Sequence, residues 1–144
     1  MVSDTGPWPQ WITQSYEQSV GASLCAPDEL YDLPAVVLCH DTSVDPLFVY
    51  ANAAAQQLWQ RSWTEFIGWP SRLTAPAEQR AQRAQALASG EVVRGYSGVR
   101  VAADGTLFRI VDATVWPVTD ENGNVVGQAA TFATVQPHLP TAQT

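Results

Sequence analysis

Two turn sequences in the second half of the chain constrain the fold more than any other feature. Asp104-Gly105 and Asn122-Gly123 are dipeptides that short β-hairpin turns favour, because their residues accept a positive φ. Both lie between segments rich in β-branched and aromatic residues. The pattern therefore predicts a meander of three antiparallel strands, over Val92–Ala103, Leu107–Val118 and Val125–Val135.

The turn type also predicts which residues face each other. If each turn has two residues, Arg100 faces Arg109, and Trp116 faces Ala129. One sheet face then carries Val99, Val101, Phe108, Ile110 and Trp116. The opposite face carries Tyr96, Arg100, Arg109, Val111, Gln128 and Phe132. Like charges directly opposite are unfavourable, so the two arginines would need a carboxylate, a bound anion or water between them. A one-residue bulge at the turn would remove this pairing.

A change from strand to helix at Asn52 is the second strong signal. The apolar run Leu47–Tyr50 predicts a buried strand, and Asn52 is predicted to cap the helix that follows, because its side chain can accept a hydrogen bond from a free backbone amide. The next residues contain four large aromatic side chains, at Trp59, Trp63, Phe66 and Trp69. These aromatic residues predict either core or the wall of a cavity.

Two further helices and one further strand are predicted. Apolar residues recur every four positions within residues 8–24, which indicates a leading amphipathic helix that must bury its stripe on the sheet or on a second copy of the chain. Pro34 opens a short strand over Ala35–Cys39. A helix is predicted over residues 75–89, with Thr74 as its N-cap. Its inward face is mostly alanine, and Arg80 and Arg83 are expected in solvent.

The order of these elements predicts an α+β fold. A single antiparallel sheet of five strands carries helices over one face, and the leading helix lies on the other face. The length fits one domain, over residues 1–136, and the polar, proline-containing residues 137–144 are expected to form a flexible tail.

Composition excludes several classes of partner. The chain has 14 acidic and seven basic residues, all of the latter arginine, and its net charge of -7 disfavours nucleic acid and anionic membranes. No segment resembles a signal peptide or a membrane span, so the cytoplasm is the expected compartment. Cys25 and Cys39 lack the spacing of a metal or redox motif, and no metal site is expected.

Several short motifs carry a family resemblance. They are His40-Asp41, Asp45-Pro46-Leu47-Phe48, Tyr50-Ala51-Asn52, Trp63-Thr64-Glu65-Phe66, Pro70-Ser71-Arg72-Leu73-Thr74-Ala75, Tyr96-Ser97-Gly98-Val99-Arg100, Val115-Trp116 and Gly127-Gln128-Ala129-Ala130-Thr131-Phe132. With these residues the chain resembles a PAS domain, and more closely the MEKHLA domain, a PAS-related family. The resemblance implies a PAS-like five-stranded antiparallel sheet with helices over its concave face. For function it implies only sensing, binding or dimerisation.

Seven residues are candidates for a ligand pocket: His40, Trp59, Trp63, Arg72, Tyr96, Arg100 and Gln128. Each also has a structural interpretation. His40 could be a hydrogen-bonded structural histidine, and Arg72 could either anchor a carboxylate ligand or pair with Asp41 or Asp45. The tryptophans could be core. Tyr96, Arg100 and Gln128 share the face that PAS domains turn inward, which makes them the polar pocket candidates.

The familiar cofactors of PAS domains are disfavoured by the sequence. The covalent flavin adduct of the light-sensing relatives needs a cysteine after the Asn-to-helix turn, where this chain has Gly68-Trp69-Pro70-Ser71-Arg72. Haem-binding relatives carry a histidine on the long helix, and residues 75–89 contain none. The identity of any cofactor therefore stays open.

Three functions remain. The first is a sensory module that binds a small organic molecule and, with no output domain in the chain, signals through a partner protein. The second is an interaction module without a ligand, which forms a homodimer or binds a partner through residues 8–24 and the outer sheet face. The third, less favoured, is a small acid–base enzyme that uses His40 with Asp41 or Asp112, although no partner is positioned by the sequence.

Overall fold

The computed structural model describes residues 5–88 and 90–138 and shows one antiparallel sheet with helices on both faces. The helices are α1 Trp8–Val20, α2 Ala53–Trp59, α3 Trp63–Phe66 and α4 Arg80–Leu87. The strands are β1 Val36–Asp41, β2 Phe48–Ala51, β3 Val93–Val101, β4 Leu107–Thr119, β5 Val125–Phe132 and β6 Thr134–Pro137. The strand order is β2-β1-β5-β4-β3, and β6 pairs with β4.

The sixth strand is a continuation of the fifth. Thr114 of β4 pairs with Thr131 of β5, and Val111 of β4 pairs with Thr134 of β6, so the register is unchanged across the interruption at Ala133. The sheet therefore follows the predicted five-stranded path, and the α+β fold of PAS type is confirmed. The residues predicted to form the tail begin with Pro137, but Pro137 ends β6 and the amide of His138 donates to Leu107. Residues 139–144 of that tail lie outside the described residues.

The first hairpin has a different register from the predicted one. Arg100 faces Phe108, and Arg109 faces Val99, so the pairing of two arginines is wrong. The turn has three residues rather than two, since the amide of Ala102 donates to Thr106 and Gly105 adopts a φ of 88°. The side chain of Gln60, at the end of α2, accepts a hydrogen bond from the Asp104 amide of this turn at 3.0 Å.

The second hairpin has the predicted pairing of residues, although its turn is not the predicted one. Its turn also has three residues, because the amide of Asp120 donates to Asn124, but a bulge between Val118 and Thr119 shifts the strands by one position. Trp116 consequently faces Ala129, as the turn sequence predicts.

A pair of bulges reverses the two sheet faces midway along β3 and β4. Gly95 and Asp112 both have a positive φ, of 69° and 58°, and the register between the two strands shifts beside them. Phe108 and Ile110, before the bulge, lie in the same cluster as Tyr96, whereas Trp116 lies in the cluster of the opposite face. The prediction that Phe108 and Ile110 share a face with Trp116 is therefore wrong, because strict alternation fails at a bulge.

The leading helix covers the outer face of its own sheet. Ile12 is fully buried, and the indole of Trp116 donates to its carbonyl at 3.2 Å. The ring of Tyr16 packs edge-on against Trp116 at 4.8 Å, and the hydroxyl of Ser15 accepts from the Thr119 amide at 2.8 Å. The sequence left two surfaces possible for the apolar stripe of this helix, the sheet or a second copy of the chain. In the structure the stripe packs on the sheet of its own chain.

Asn52 joins the two predicted elements around it. It is fully buried, and its carbonyl accepts from the amide of Ala55 in the first turn of α2 and from Val37 on β1. Its amide donates to the carbonyls of Leu30 and Ala35. The predicted cap is present, and the same side chain also ties α2 to β1 and to the segment before it.

The helix predicted over residues 75–89 is shorter and starts differently. A 3-10 turn at Ala77–Gln79 leads into α4, and the hydroxyl of Thr74 donates to the Ser71 carbonyl at 2.7 Å instead of capping the helix. The inward alanine face is also wrong, since Ala81 and Ala84 are exposed. No helix in the described part of the chain is long and apolar enough to cross a membrane.

Candidate functional site

A small cavity lies between the inner face of the sheet and the helices that cover it. Its volume is about 40 Å³. Aliphatic and aromatic side chains form most of the wall, and the residues with polar groups on it include His40, Trp59, Arg83, Tyr96, Arg100 and Gln128. The structure thus brings together five of the seven sequence candidates, and adds Arg83. Whether they bind a ligand stays a prediction.

One edge of the cavity comes from alternate residues of β3, which point inward because side chains alternate along a strand. Arg100 is only 5% exposed, and its guanidinium donates to the hydroxyl of Tyr96 at 2.9 Å and to the carbonyl of Val99. Gly98 lies between them, and a Cβ there would stand 2.7 Å from the Tyr96 hydroxyl and 2.8 Å from Arg100 Nη1. The glycine therefore leaves the space in which this pair meets.

The opposite side of the cavity receives Arg83 from α4. Its Nε is buried and has no hydrogen-bond partner in the described part of the chain, so the prediction of a solvated Arg83 is wrong. Burial, and then repulsion from the charge of Arg100, lower the pKa of Arg83 to about 10. It is still protonated at neutral pH. Alanine side chains offer too little apolar area to determine which face of α4 turns toward the sheet. The long aliphatic part of an arginine side chain, in contrast, can cover apolar surface.

The indole of Trp59 forms the floor of the cavity. The side chain is 1% exposed, and its ring packs edge-on against Phe66, Phe108 and Phe132. Its Nε1 is buried and has no hydrogen-bond partner in the described residues. Buried indole N–H groups usually find an acceptor, which makes this donor unusual.

His40 closes the cavity on the β1 and β5 side. Its Nδ1 donates to the Asp41 carbonyl at 2.9 Å, and its Nε2 lies 3.2 Å from the side-chain amide of Gln128. Burial lowers the pKa of His40, the bond to Asp41 partly offsets this, and the charge of Arg83 lowers it further, so the ring is neutral at pH 7. With Nδ1 protonated, Nε2 is an acceptor, as is the Gln128 Oε1 placed 3.2 Å from it, so the Gln128 amide must be turned by 180° to present its nitrogen.

The structure does not assemble the acid–base pair suggested for His40. The carboxylate of Asp41 accepts hydrogen bonds from the amides of Ser43 and Leu47, at 3.1 and 3.0 Å. Burial raises the pKa of Asp41, but these bonds outweigh it and hold the pKa below its usual value. Asp112 lies beside Gly95 on β4 and does not line the cavity.

Two of the sequence candidates lie outside the cavity. Trp63 packs edge-on against Tyr50 at 5.6 Å, in the cluster of the outer sheet face. Arg72 pairs with Asp45, with Nε–Oδ1 and Nη2–Oδ2 distances of 3.0 and 3.4 Å. Both partners of this ion pair are about half exposed.

We expect replacement of Arg72 with alanine to lower the free energy of unfolding by no more than about 1 kcal/mol, because exposed ion pairs contribute little. Urea unfolding in low and high salt measures this, and the difference from the unchanged protein should shrink in high salt. A loss above about 2 kcal/mol would show that the Arg72–Asp45 pair holds the segment before α4 in place.

The cavity does not fit the flavin of the light-sensing relatives. Its volume of about 40 Å³ is far below the roughly 300–1,000 Å³ of pockets for larger organic ligands. Neither thiol lines it, because Cys39 and Cys25 both belong to the cluster on the outer sheet face. Burial and the charge of Asp41 also raise the pKa of Cys39, which disfavours a reactive thiolate.

Solved structures with a similar fold are PAS and light-oxygen-voltage domains. An RNA-binding Light-Oxygen-Voltage receptor aligns with a TM-score of 0.58 and 24% identity over 70% of this chain, which spans only 30% of that receptor. The PAS domain of a protein from Colwellia psychrerythraea aligns with a TM-score of 0.62 and 15% identity, over 77% of this chain and 92% of that one. The photo-excited blue-light photoreceptor Vivid aligns with a TM-score of 0.57 and 18% identity, over 69% of this chain and 78% of that one.

Identities this low establish a common fold, and they do not show that this chain binds the ligands of those proteins. No curated protein matches the chain by sequence. The sequence profile of the MEKHLA domain matches residues 7–137, which include every helix and strand described above. The chain belongs to the MEKHLA domain family, and its structure has the PAS fold.

Proposed function

We propose that the chain is a sensory module that takes a small organic molecule into the cavity between the sheet and its covering helices. The observation that supports this most directly is the Nε1 of Trp59, a buried donor with no partner in the described residues, on a side chain that lines the cavity. An unsatisfied buried donor costs about 1–3 kcal/mol. An acceptor supplied by a ligand in the cavity would remove this cost.

The covering helix α4 offers a route from the cavity to a protein partner. Its Arg83 reaches the cavity wall, while its Ala81 and Ala84 are exposed on the outside. A ligand that contacts Arg83 would favour one position of α4 over others, and it would shift the equilibrium by its difference in affinity for them. A partner bound on the exposed side of α4 would respond to that shift.

Protein-observed NMR with a panel of small neutral, cationic and anionic compounds tests ligand binding. At least one compound is expected to give saturable shifts in the resonances of cavity residues. Val115→Ile, which adds a methylene on the cavity wall, should weaken that binding at least about fivefold by occupying the space. The matched control is Val118→Ile, at a fully buried position of β4 on the outer face, where affinity should be unchanged. Equal effects of both substitutions, or no binding at all, would contradict the proposal.

The ligand-free homodimer through residues 8–24 stays a prediction from the sequence. The structure gives it less support, because α1 already buries its apolar stripe against β4 of its own chain. A dimer on this side would have to use the exposed residues of α1, such as Gln14, Glu17 and Gln18. Sedimentation velocity over a range of concentrations distinguishes a monomer from such a dimer.

A further inference from the structure

The cavity is lined by donors that have no acidic partner. Arg83 reaches it from α4, Arg100 from β3, and Trp59 from α2. Within residues 5–88 and 90–138, neither of these guanidiniums forms an ion pair with a carboxylate. The ion pair found there, between Arg72 and Asp45, lies on the surface. The chain has twice as many acidic as basic residues, yet no carboxylate of the described residues pairs with either arginine of this cavity.

Two like charges, one buried and one half-buried, are unfavourable beside one cavity unless something of opposite charge lies between them. Arg100 lowers the pKa of Arg83 by repulsion, and the neutral His40 contributes no compensating charge. The Tyr96 hydroxyl and the Val99 carbonyl accept hydrogen bonds from Arg100, but both acceptors are neutral. An anion on the cavity wall would be attracted to both Arg83 and Arg100, and these two attractions would offset the repulsion between the arginines. It would also offer an acceptor to Arg83 and Trp59, two lining side chains whose Nε and Nε1 are buried and have no partner in the described residues.

The volume limits the size of that anion. A cavity of about 40 Å³ is far smaller than the roughly 300–1,000 Å³ of pockets for drug-sized ligands, so the ligand can have only a few non-hydrogen atoms. A carboxylate with one or two further carbons has this size. The remaining wall is apolar, with Ile110, Val115 and Phe132, and suits a methyl or ethyl group better than a fully hydrated inorganic ion.

We propose that the cavity binds a small carboxylate of the acetate and propionate class, whose oxygens accept hydrogen bonds from Arg83, Arg100 and Trp59. Its short alkyl group lies against Ile110 and Val115. Bidentate pairing of a guanidinium with a carboxylate supplies both the charge and the planar geometry. This inference rests on the proposed function, since it names the class of ligand for the same cavity.

Acetate and acetamide provide the first test, because they have nearly the same shape and differ in charge. Calorimetric titration of the unchanged protein at constant ionic strength should show acetate binding at least about tenfold more tightly than acetamide. The indole N–H resonance of Trp59, assigned from the spectrum of Trp59→Phe, should shift on addition of acetate and should saturate with the same affinity. This comparison needs no variant of either arginine.

Substitution of Arg83 provides the second test. Arg83→Met keeps an apolar stem and removes the charge, and it should weaken acetate binding about tenfold to a hundredfold, the usual effect of losing a hydrogen bond to a charged group. The matched control is Arg72→Met, which removes an equal charge outside the cavity and should leave the affinity within about twofold. Titration with sodium phosphate under the same conditions distinguishes a carboxylate site from a general anion site.

The outcomes separate this inference from the function on which it rests. Equal binding of acetamide and acetate, with no effect of Arg83→Met, would overturn the carboxylate and leave a neutral-ligand sensor. Binding of phosphate without acetate would overturn the assigned class as well. If no compound of any class shifts the Trp59 resonance, both the carboxylate and the proposed sensory cavity are wrong.

Discussion

Replacing Asn52 with alanine is expected to lower the free energy of unfolding by about 3–5 kcal/mol. The side chain is fully buried and accepts from the amides of Val37 and Ala55, at 3.0 and 3.1 Å. It also donates to the carbonyls of Leu30 and Ala35, at 3.2 and 2.8 Å. Each buried backbone group left without a partner costs about 1–3 kcal/mol, and alanine would strand several of them at once. No water is expected to replace all four bonds, because the site lies inside the core.

Urea unfolding followed by circular dichroism measures this loss. Asn122→Ala is the matched control, because Asn122 is exposed in the second hairpin turn, where surface substitutions usually change stability by less than about 0.5 kcal/mol. Amide hydrogen exchange should show that Asn52→Ala exposes α2 and β1 together, since the side chain links them. A loss below about 1 kcal/mol for Asn52→Ala would show that the observed hydrogen bonds contribute little, and that packing alone holds the strand-to-helix junction.

Replacing Trp116 with alanine is expected to cost a similar amount, about 3–5 kcal/mol. The side chain is fully buried at the centre of the outer face and lies edge-on to Tyr16 at 4.8 Å. Its indole also donates to the carbonyl of Ile12 at 3.2 Å. Truncation would leave a large cavity beneath α1 and remove the hydrogen bond that anchors the helix, so α1 should become the least stable element of the domain.

Hydrogen exchange of the α1 amides gives the most specific measurement. In Trp116→Ala the α1 amides should exchange faster than the amides of β1 and β5. In the unchanged protein these two groups of amides should be equally protected. Trp11→Ala serves as the control, because Trp11 lies on the same helix but is only half-buried, and its indole donates to the exposed Glu121. It should cost less than about 2 kcal/mol. A loss of stability with α1 exchange unaffected would place the role of Trp116 within the sheet rather than beneath the helix.

Much of the fold could be predicted because its signals are local. The strand-to-helix change at Asn52 depends on residues within three positions, and the hairpins depend on the two glycine-containing turns. The apolar stripe of α1 repeats along one helix and needs a surface, which the sheet provides. These features led to a PAS-like α+β fold and to the MEKHLA family, and the structure and the family comparison confirm both.

The site could be predicted only in part. His40, Trp59, Tyr96, Arg100 and Gln128 line one cavity, although the register used to group three of them was wrong at the first turn. Tyr96 and Arg100 still share a face, because they lie four positions apart on β3 and their side is independent of the turn that follows. Arg83 was missed because α4 has little apolar character. In such a helix, periodicity alone does not show whether the alanine face or the face with the arginine turns inward.

The sequence by itself determined the order of the main elements, the Asn52 cap and the places of the two hairpins, because these depend on residues close in the chain, and its motifs determined the family. Only the tertiary structure decided the strand register, the bulge at Gly95 and Asp112, the pairing of Arg72 with Asp45, and the entry of Arg83 into the cavity. These depend on contacts between distant segments, such as Gln60 with the Asp104 turn. A shift of one residue in a strand reverses every side chain beyond it, so small long-range contacts determine which residues form the site.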